Sequence, residues 1–276
     1  MTASLLSSTR IRAQLGHDQS LPQDISPLLE ATQKHAQINT YRLGFGITAF
    51  PFVDPSPETS DRRLLGVRFD ICRRKGEFDS PYYLLCKRAD DDSSELRIHR
   101  HTIPALVPLQ QYEERYLPLQ DEGYGSEDSV SGGEGRKQDL HGLVRQVRHD
   151  LVSWRLRQEA IELLSEQLCI PPSGPDGVPT GSAIDEDLEM SDIPEGMFGV
   201  SRVEAVSVDA YQARIIWSDG RLGRIKITDE GQVDRVVVFG EAGRLRDAER
   251  ILSRENPNVL ELVSRLEQLH RQTLAP

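Results

Sequence analysis

The chain reads as an α+β protein in which one layout, a four-stranded antiparallel meander packed on helices, occurs twice along 276 residues. Three observations predict this. Two groups of short segments alternate apolar and polar side chains at period two, one within residues 41–103 and one within 203–239. Helical periodicity flanks both groups. The length suits two domains at roughly 100–200 residues each, and an acidic glycine-rich stretch divides the halves.

In chain order, residues 24–39 carry a loose helical stripe (Ile25, Leu28, Leu29, Ala31, Ala36, Ile38), with Pro27 in the first turn, where proline is tolerated. From Tyr41 to Val53 the residues Leu43, Phe45 and Ile47 alternate with Gly44, Gly46 and Thr48, predicting a first strand that the Asp54–Pro57 run ends. Leu64–Cys72 sets Leu65, Val67, Phe69 and Ile71 against Gly66, Arg68 and Asp70, a strand with one apolar and one polar face. Tyr82–Lys87 and Leu96–Ile103 complete the meander across a turn at Ala89–Glu95. Pro104 and Pro108 then bend the chain into a short helix ending near Leu117.

Residues 120–138 are acidic, with five glycines and few apolar side chains, and predict a flexible loop whose serines (Ser126, Ser129, Ser131) are open to phosphorylation. Leu140, Leu143, Val147, Leu151, Trp154, Ile161, Leu164 and Leu168 recur at steps of three and four or their sums, so a long helix follows, with Asp139 as N-cap and Pro171–Pro172 as its stop. A Pro/Gly/acid-rich connector covers 172–199. Four further strands are expected at Val203–Val208, Tyr211–Trp217, Leu222–Ile227 and Val233–Phe239, then helices at Leu245–Arg254 and Val259–Gln268 separated by Asn256-Pro257. The resulting units are a tail and short helix at 1–40, a first domain at 41–119, the loop, and a second domain at 139–275 with an insertion at about 172–199.

Composition narrows the function. Lys and Arg number 33 against 44 Asp and Glu, a net charge of −11 that repels phosphate polymers and anionic lipid, so direct DNA binding is not expected. Charges interrupt every hydrophobic run well short of the ~18 apolar residues that cross a bilayer, and no membrane span is predicted. Residues 1–16 lack the apolar centre of a secretory signal; their serines and Arg10 and Arg12 also suit a mitochondrial presequence. Cys72, Cys86 and Cys169 show no metal spacing, as a reducing compartment allows.

Each candidate site has a plainer structural role that fits its residues. His99 and His101, at i and i+2 of a strand, would share a face and could ligate a metal, but no third ligand stands at motif spacing, and no metal or cofactor is expected. Asp90–Asp92 lacks the alternating ligands and glycine of a calcium loop. Cys72 and Cys86 fall inside strands, where thiols behave as small apolar groups. The basic run Arg73-Arg74-Lys75 is interleaved with Asp70, Glu77 and Asp79 and reads as a solvated face. Trp154 and Trp217 read as core residues, either of which could anchor a partner. No nucleophile, acid and base set is present, so no enzyme activity is expected.

The segments LLGVRFD (64–70), PYYLLCKR (81–88), LRIHRHTIPALVPL (96–109) and LVRQVRHDLVSWRLR (143–157), in that order, resemble the CENP-O family of inner-kinetochore subunits. The resemblance implies two tandem RWD-like domains and a non-enzymatic scaffold of the centromere in the nucleus. It implies pairing with a CENP-P-like subunit and association with CENP-Q-like and CENP-U-like subunits. The signature residues it singles out are Arg68, Phe69, Asp70, His99, Arg100, His101, Thr102, Pro104, Pro108 and Trp154, as structural or interface positions. Pro104 and Pro108 keep the family's spacing, while Ile103 stands where a tyrosine is usual. The family's N-terminal coiled coil has no sustained heptads to match it in the residues before Tyr41. A second reading, an RWD-type adaptor docking an enzyme of ubiquitin or SUMO conjugation or of stress signalling, is separated by the HRHTIP and LLGVRFD segments.

Overall fold

The computed structural model describes residues 25–54, 63–89, 94–119, 137–170, 196–253 and 258–274. The expectations for residues 1–24, for the turns after Asp54 and at Asp90–Asp92, for the loop at 120–136, for Pro171, Pro172 and the connector as far as 195, and for Asn256-Pro257 lie outside the described residues. Two compact units are present, one within Met1–Ile103 and Leu109–Val144, the other within Pro104–Pro108 and Arg145–Pro276. Among the described residues no helix is long and apolar enough to cross a membrane.

The first unit opens with α1 (Ile25–Phe45), followed by β1 (Ile47–Val53), β2 (Arg63–Phe69), β3 (Tyr82–Arg88) and β4 (Leu96–His101), an antiparallel sheet in sequence order, and then α2 (Leu109–Tyr116). Its buried side chains include Leu64, Val67, Phe69, Leu84 and Cys86. The expected strand start at Tyr41 is corrected, because residues 41–45 are the last turn of α1. There Tyr41 stacks on Phe45 four residues on, with centroids 6.4 Å apart, and Gly46, at φ 63°, ends the helix in the left-handed conformation. Five residues of alternation cannot be told from one helical turn, and the glycine is what separates helix from strand. Likewise β2 stops at Phe69, leaving Cys72 on an isolated bridge to Phe78 rather than inside a strand.

The second unit is built on α3 (Leu140–Gln167), which continues from the first unit. Asp139 caps it, its Oδ1 accepting the Gly142 N–H at 2.8 Å. The helix closes before the two prolines: Cys169 takes φ 55°, its N–H reaches the Glu166 carbonyl at 3.2 Å, and the Ile170 N–H reaches that of Ser165 at 3.0 Å. The sheet runs β5 (Val200–Ala205), β6 (Gln212–Trp217), β7 (Leu222–Ile227), β8 (Val233–Gly240) and a short fifth strand, β9 (Gly243–Arg244), which the sequence pattern did not predict. Helices α4 (Arg246–Leu252) and α5 (Val259–Leu274) follow. The core joins Ala213, Ile215, Trp217, Ile225 and Val236 of the sheet to Leu164 and Leu168 of α3 and to Leu262 and Leu266 of α5. Both units are thus antiparallel meanders backed by helices, the α+β, RWD-like arrangement expected, with β9 added to the second.

Side chains close the β4 edge of the first sheet and the stretch of β8 that the short β9 does not cover. On β4 the Leu96 N–H donates to Gln138 Oε1 at 2.7 Å and the Ile98 N–H to Glu113 Oε1 at 2.6 Å. On β8 the Val236 N–H donates to Ser253 Oγ and the Val238 N–H to Glu249 Oε1, each at 3.2 Å. Hydrogen bonds from Arg244, at 2.7 and 2.8 Å, hold the Glu249 carboxyl below its usual pKa, so this cap is in place above the ordinary carboxylate range and fails only as acid protonates it.

The turn between β7 and β8 touches α3 closely. Gly231 has φ 73°, and a Cβ there would lie 2.7 Å from the Leu156 carbonyl oxygen. Gly231→Ala is expected to destabilise the protein by about 1–3 kcal/mol, read from the urea midpoint, because both backbone conformation and space forbid the methyl group.

Candidate interaction site

The most elaborate polar cluster grows out of the end of β2. Phe69 points into the core and is fully buried, so the next side chain, Asp70, turns to the opposite side at the point where the strand stops. Its carboxylate is 1% exposed and receives two guanidinium groups on the same oxygen. Arg42 donates to Oδ1 through Nε at 3.0 Å and Nη2 at 2.7 Å; Arg68 does so at 3.2 and 2.8 Å. The Arg42 guanidinium also lies 4.1 Å from the centroid of Phe78. The Asp70 N–H donates to the Gly46 carbonyl at 2.9 Å, and the Gly46 N–H returns to that of Arg42. Helix α1 is therefore latched to β2 through backbone and side chain at once. Beyond the latch, Ile38, Tyr41, Leu43 and Phe45 are exposed, Phe45 by 67%.

The HRHTIP segment forms the end of β4. Cys86 pairs with Ile98 and Leu85 with Arg100, which leaves His99 as an extra residue in a bulge. The expectation that His99 and His101 share a face is corrected, because the bulge shifts the alternation between them. His99 is half-buried, with Nε2 3.5 Å from Oδ2 of the buried Asp54; His101 is exposed, with Nδ1 3.2 Å from the Ile103 carbonyl. Arg100 is exposed, and Thr102 exchanges two bonds with Tyr83, accepting its N–H on Oγ1 at 2.8 Å and donating its own N–H to the Tyr83 carbonyl at 2.9 Å. The Pro104 carbonyl accepts the Val107 N–H, making the turn that delivers Pro108 to the start of α2. Among the described residues no three His, Cys, Asp or Glu side chains gather as metal ligands.

In the second unit α3 grips the loops at one end of its sheet. Trp217 is in the core, whereas the expectation that Trp154 is a core residue is corrected: it is half-buried and its Nε1 donates to the Val208 carbonyl at 2.7 Å, fastening α3 to that loop. One turn on, Arg157 is 3% exposed, donates to the Asp209 carbonyl at 2.8 Å and to Asp229 Oδ1 at 2.7 Å, and lies 3.8 Å from the Tyr211 ring centroid. The Tyr211 hydroxyl donates to the same Asp229 oxygen at 3.1 Å. The structure thus gathers Arg68, Phe69 and Asp70 into one cluster and His99–Thr102 at the end of β4, while Pro104, Pro108 and Trp154 belong to the other unit. Sequence reasoning missed Arg42, Glu113, Arg157 and Glu249, whose partners lie 28, 15, 52 and 11 residues away. A cation four residues before a helix-ending glycine was the available signal for Arg42.

Chemically these clusters hold elements in place. Burial, with a smaller contribution from the Glu113 carboxylate, pushes the Cys86 thiol up to about 11, so it is neutral and unreactive near pH 7. Alkylation at pH 8 followed by mass spectrometry is expected to label exposed Cys169 promptly and Cys86 only on unfolding; equal rates would contradict the buried assignment. Asp70→Asn strips both arginines of their anion while leaving them partly solvated, and is expected to cost about 2 kcal/mol in denaturant unfolding. Arg42→Ala should then add little in the Asp70→Asn background, because the two side chains share one interaction.

A search of curated proteins finds no match. The family model described as Cenp-O kinetochore centromere component matches residues 47–266, most of the chain, spanning both sheets, α2–α4 and the first half of α5. The chain belongs to this family, and is a component of the kinetochore at the centromere, in the nucleus, serving chromosome segregation.

Proposed function

We propose that the chain is a non-enzymatic structural subunit that pairs with a CENP-P-like subunit and, through that pair, meets CENP-Q-like and CENP-U-like subunits of the inner kinetochore. The family match supports the setting. The observation that carries the pairing is the exposed apolar group Ile38, Tyr41, Leu43 and Phe45 on the last two turns of α1. Solvent exposure of large apolar side chains on a helix that is latched in a fixed direction is the arrangement a partner helix covers.

In this reading residues 41–119 and 139–275 act as two RWD-like domains. Arg68, Phe69 and Asp70 orient α1, while His99, Thr102, Pro104, Pro108 and Trp154 keep the rims of the sheets in shape. Arg100 and His101, which point to solvent, are the signature positions available to a partner.

Co-expression with the CENP-P homologue of the same organism is the test. The chain alone is expected to be poorly soluble and to be rescued as a heterodimer by that subunit. The double variant Tyr41→Ser with Phe45→Ser should lower the yield of heterodimer at least about tenfold, the loss of two anchor side chains. A monodisperse monomer with no affinity for the homologue would refute the pairing, and a tagged chain that recovers no centromere proteins from dividing cells would refute the setting.

A further inference from the structure

The second sheet turns one face to the core and the other to solvent, and the solvent face is basic in a protein of net charge −11. Cross-strand register puts Arg214 opposite Arg224 and Lys226 opposite Arg235, two pairs of like charges directly facing each other. Like charges directly opposite each other destabilise a sheet. Glu204 offsets Arg214 at 3.3 Å, and Asp234 offsets Lys226 at 2.7 Å. Arg224 is exposed, Arg235 stands close enough to Glu249 to help lower its pKa, and Arg214 Nε is buried without a hydrogen-bond partner.

At the β8 edge this face runs into an open cavity of about 440 Å³, where Arg235 meets Arg244, Arg246 and Arg250 from β9 and α4. Glu249 in its wall is engaged by Arg244, and Arg250 pairs with Asp247 at 3.3 Å, which leaves Arg235 and Arg246 as the cations an occupant would meet. Between the cations stand Ile216, Leu222, Val237 and Phe239, half-buried or, for Phe239, 40% exposed.

We infer that this face and the arginine-lined cavity beside it dock an acidic segment of another protein, one whose carboxylates or phosphates alternate with apolar side chains. Charge complementarity calls for an anionic occupant. The apolar side chains between the cations have no counterpart on a phosphate backbone, so a peptide fits better than a nucleic acid. An extended peptide lying across the strands satisfies both kinds of contact, and the cavity takes a pair of its side chains. This goes beyond the pairing proposed above and stands without it.

Fluorescence anisotropy on the full chain, co-expressed with its partner subunit where solubility requires, tests the inference. The probe is a short labelled peptide alternating Asp or Glu with Leu. It is expected to bind, to weaken with added salt, and to lose at least about tenfold in affinity in Arg224→Glu with Arg235→Glu. Arg246→Glu with Arg250→Glu, on a different element, should give the same loss and guards against a sheet variant that fails to fold. The same peptide with Lys in place of its acids should not bind. Absence of binding to the wild type, unchanged affinity in both folded variants, or tighter binding of duplex DNA than of the peptide would each overturn the assignment. Recovery of the CENP-P homologue by the same variants separates this result from the pairing, which they are expected to leave intact.

Discussion

An open antiparallel sheet ends in a strand with unpaired N–H and C=O groups, and these must be satisfied or the sheet will recruit a stranger's strand. Both halves of this chain answer that constraint in the same way. The last strand of each four-stranded meander is closed by a glutamate from the helix that follows, Glu113 for Ile98 and Glu249 for Val238, with a second polar side chain, Gln138 or Ser253, at the N–H two residues away. The helix is thereby committed to the rim as well as to the face of its sheet. In the first unit this closure ends the sheet; in the second it covers the part of β8 that β9 leaves unpaired.

The repeated device also bears on the relation between the halves. Element order alone suggests that one layout occurs twice. Finding a glutamate in the corresponding place on each rim adds a chemical likeness to the topological one, although the residues between strand and cap number 14 in one half and 10 in the other. The second unit adds β9, whose Arg244 turns the rim cap into an ion pair and lines the cavity beside it.

Much of this was legible in the sequence where a local period carried it. Leu222–Ile227 alternates strictly between core and solvent, and its predicted and observed limits coincide. Asp139 was readable as a cap because an acid immediately before an apolar-periodic run has few other local uses. The failures share a cause. Tyr41–Phe45 is too short for period two and period 3.6 to part company, and the decision rests on the backbone of Gly46. The bulge at His99 inserts a residue without altering composition, so it left no trace in the pattern although it redirects the histidines. Arg42 and Arg157 find their partners through the fold, 28 and 52 residues away, and although Arg244 and Val238 lie 5 and 11 residues from Glu249, only the strand and helix geometry brings them together. The signature residues Arg68, Phe69 and Asp70 were legible as a group through family resemblance, whereas the reason for grouping them, one buried oxygen shared by two arginines, is visible only in three dimensions.

The fastening of α1 to its sheet has a mechanical side. Attachment through a continuous apolar seam yields gradually under load, since contacts slide and are replaced. The junction at Asp70 is made of directional bonds that act over a very short range and converge on one atom. A connection of that kind is stiff until it parts and then offers little resistance, so a pull along α1 would be passed into the sheet almost undamped up to a sharp release point.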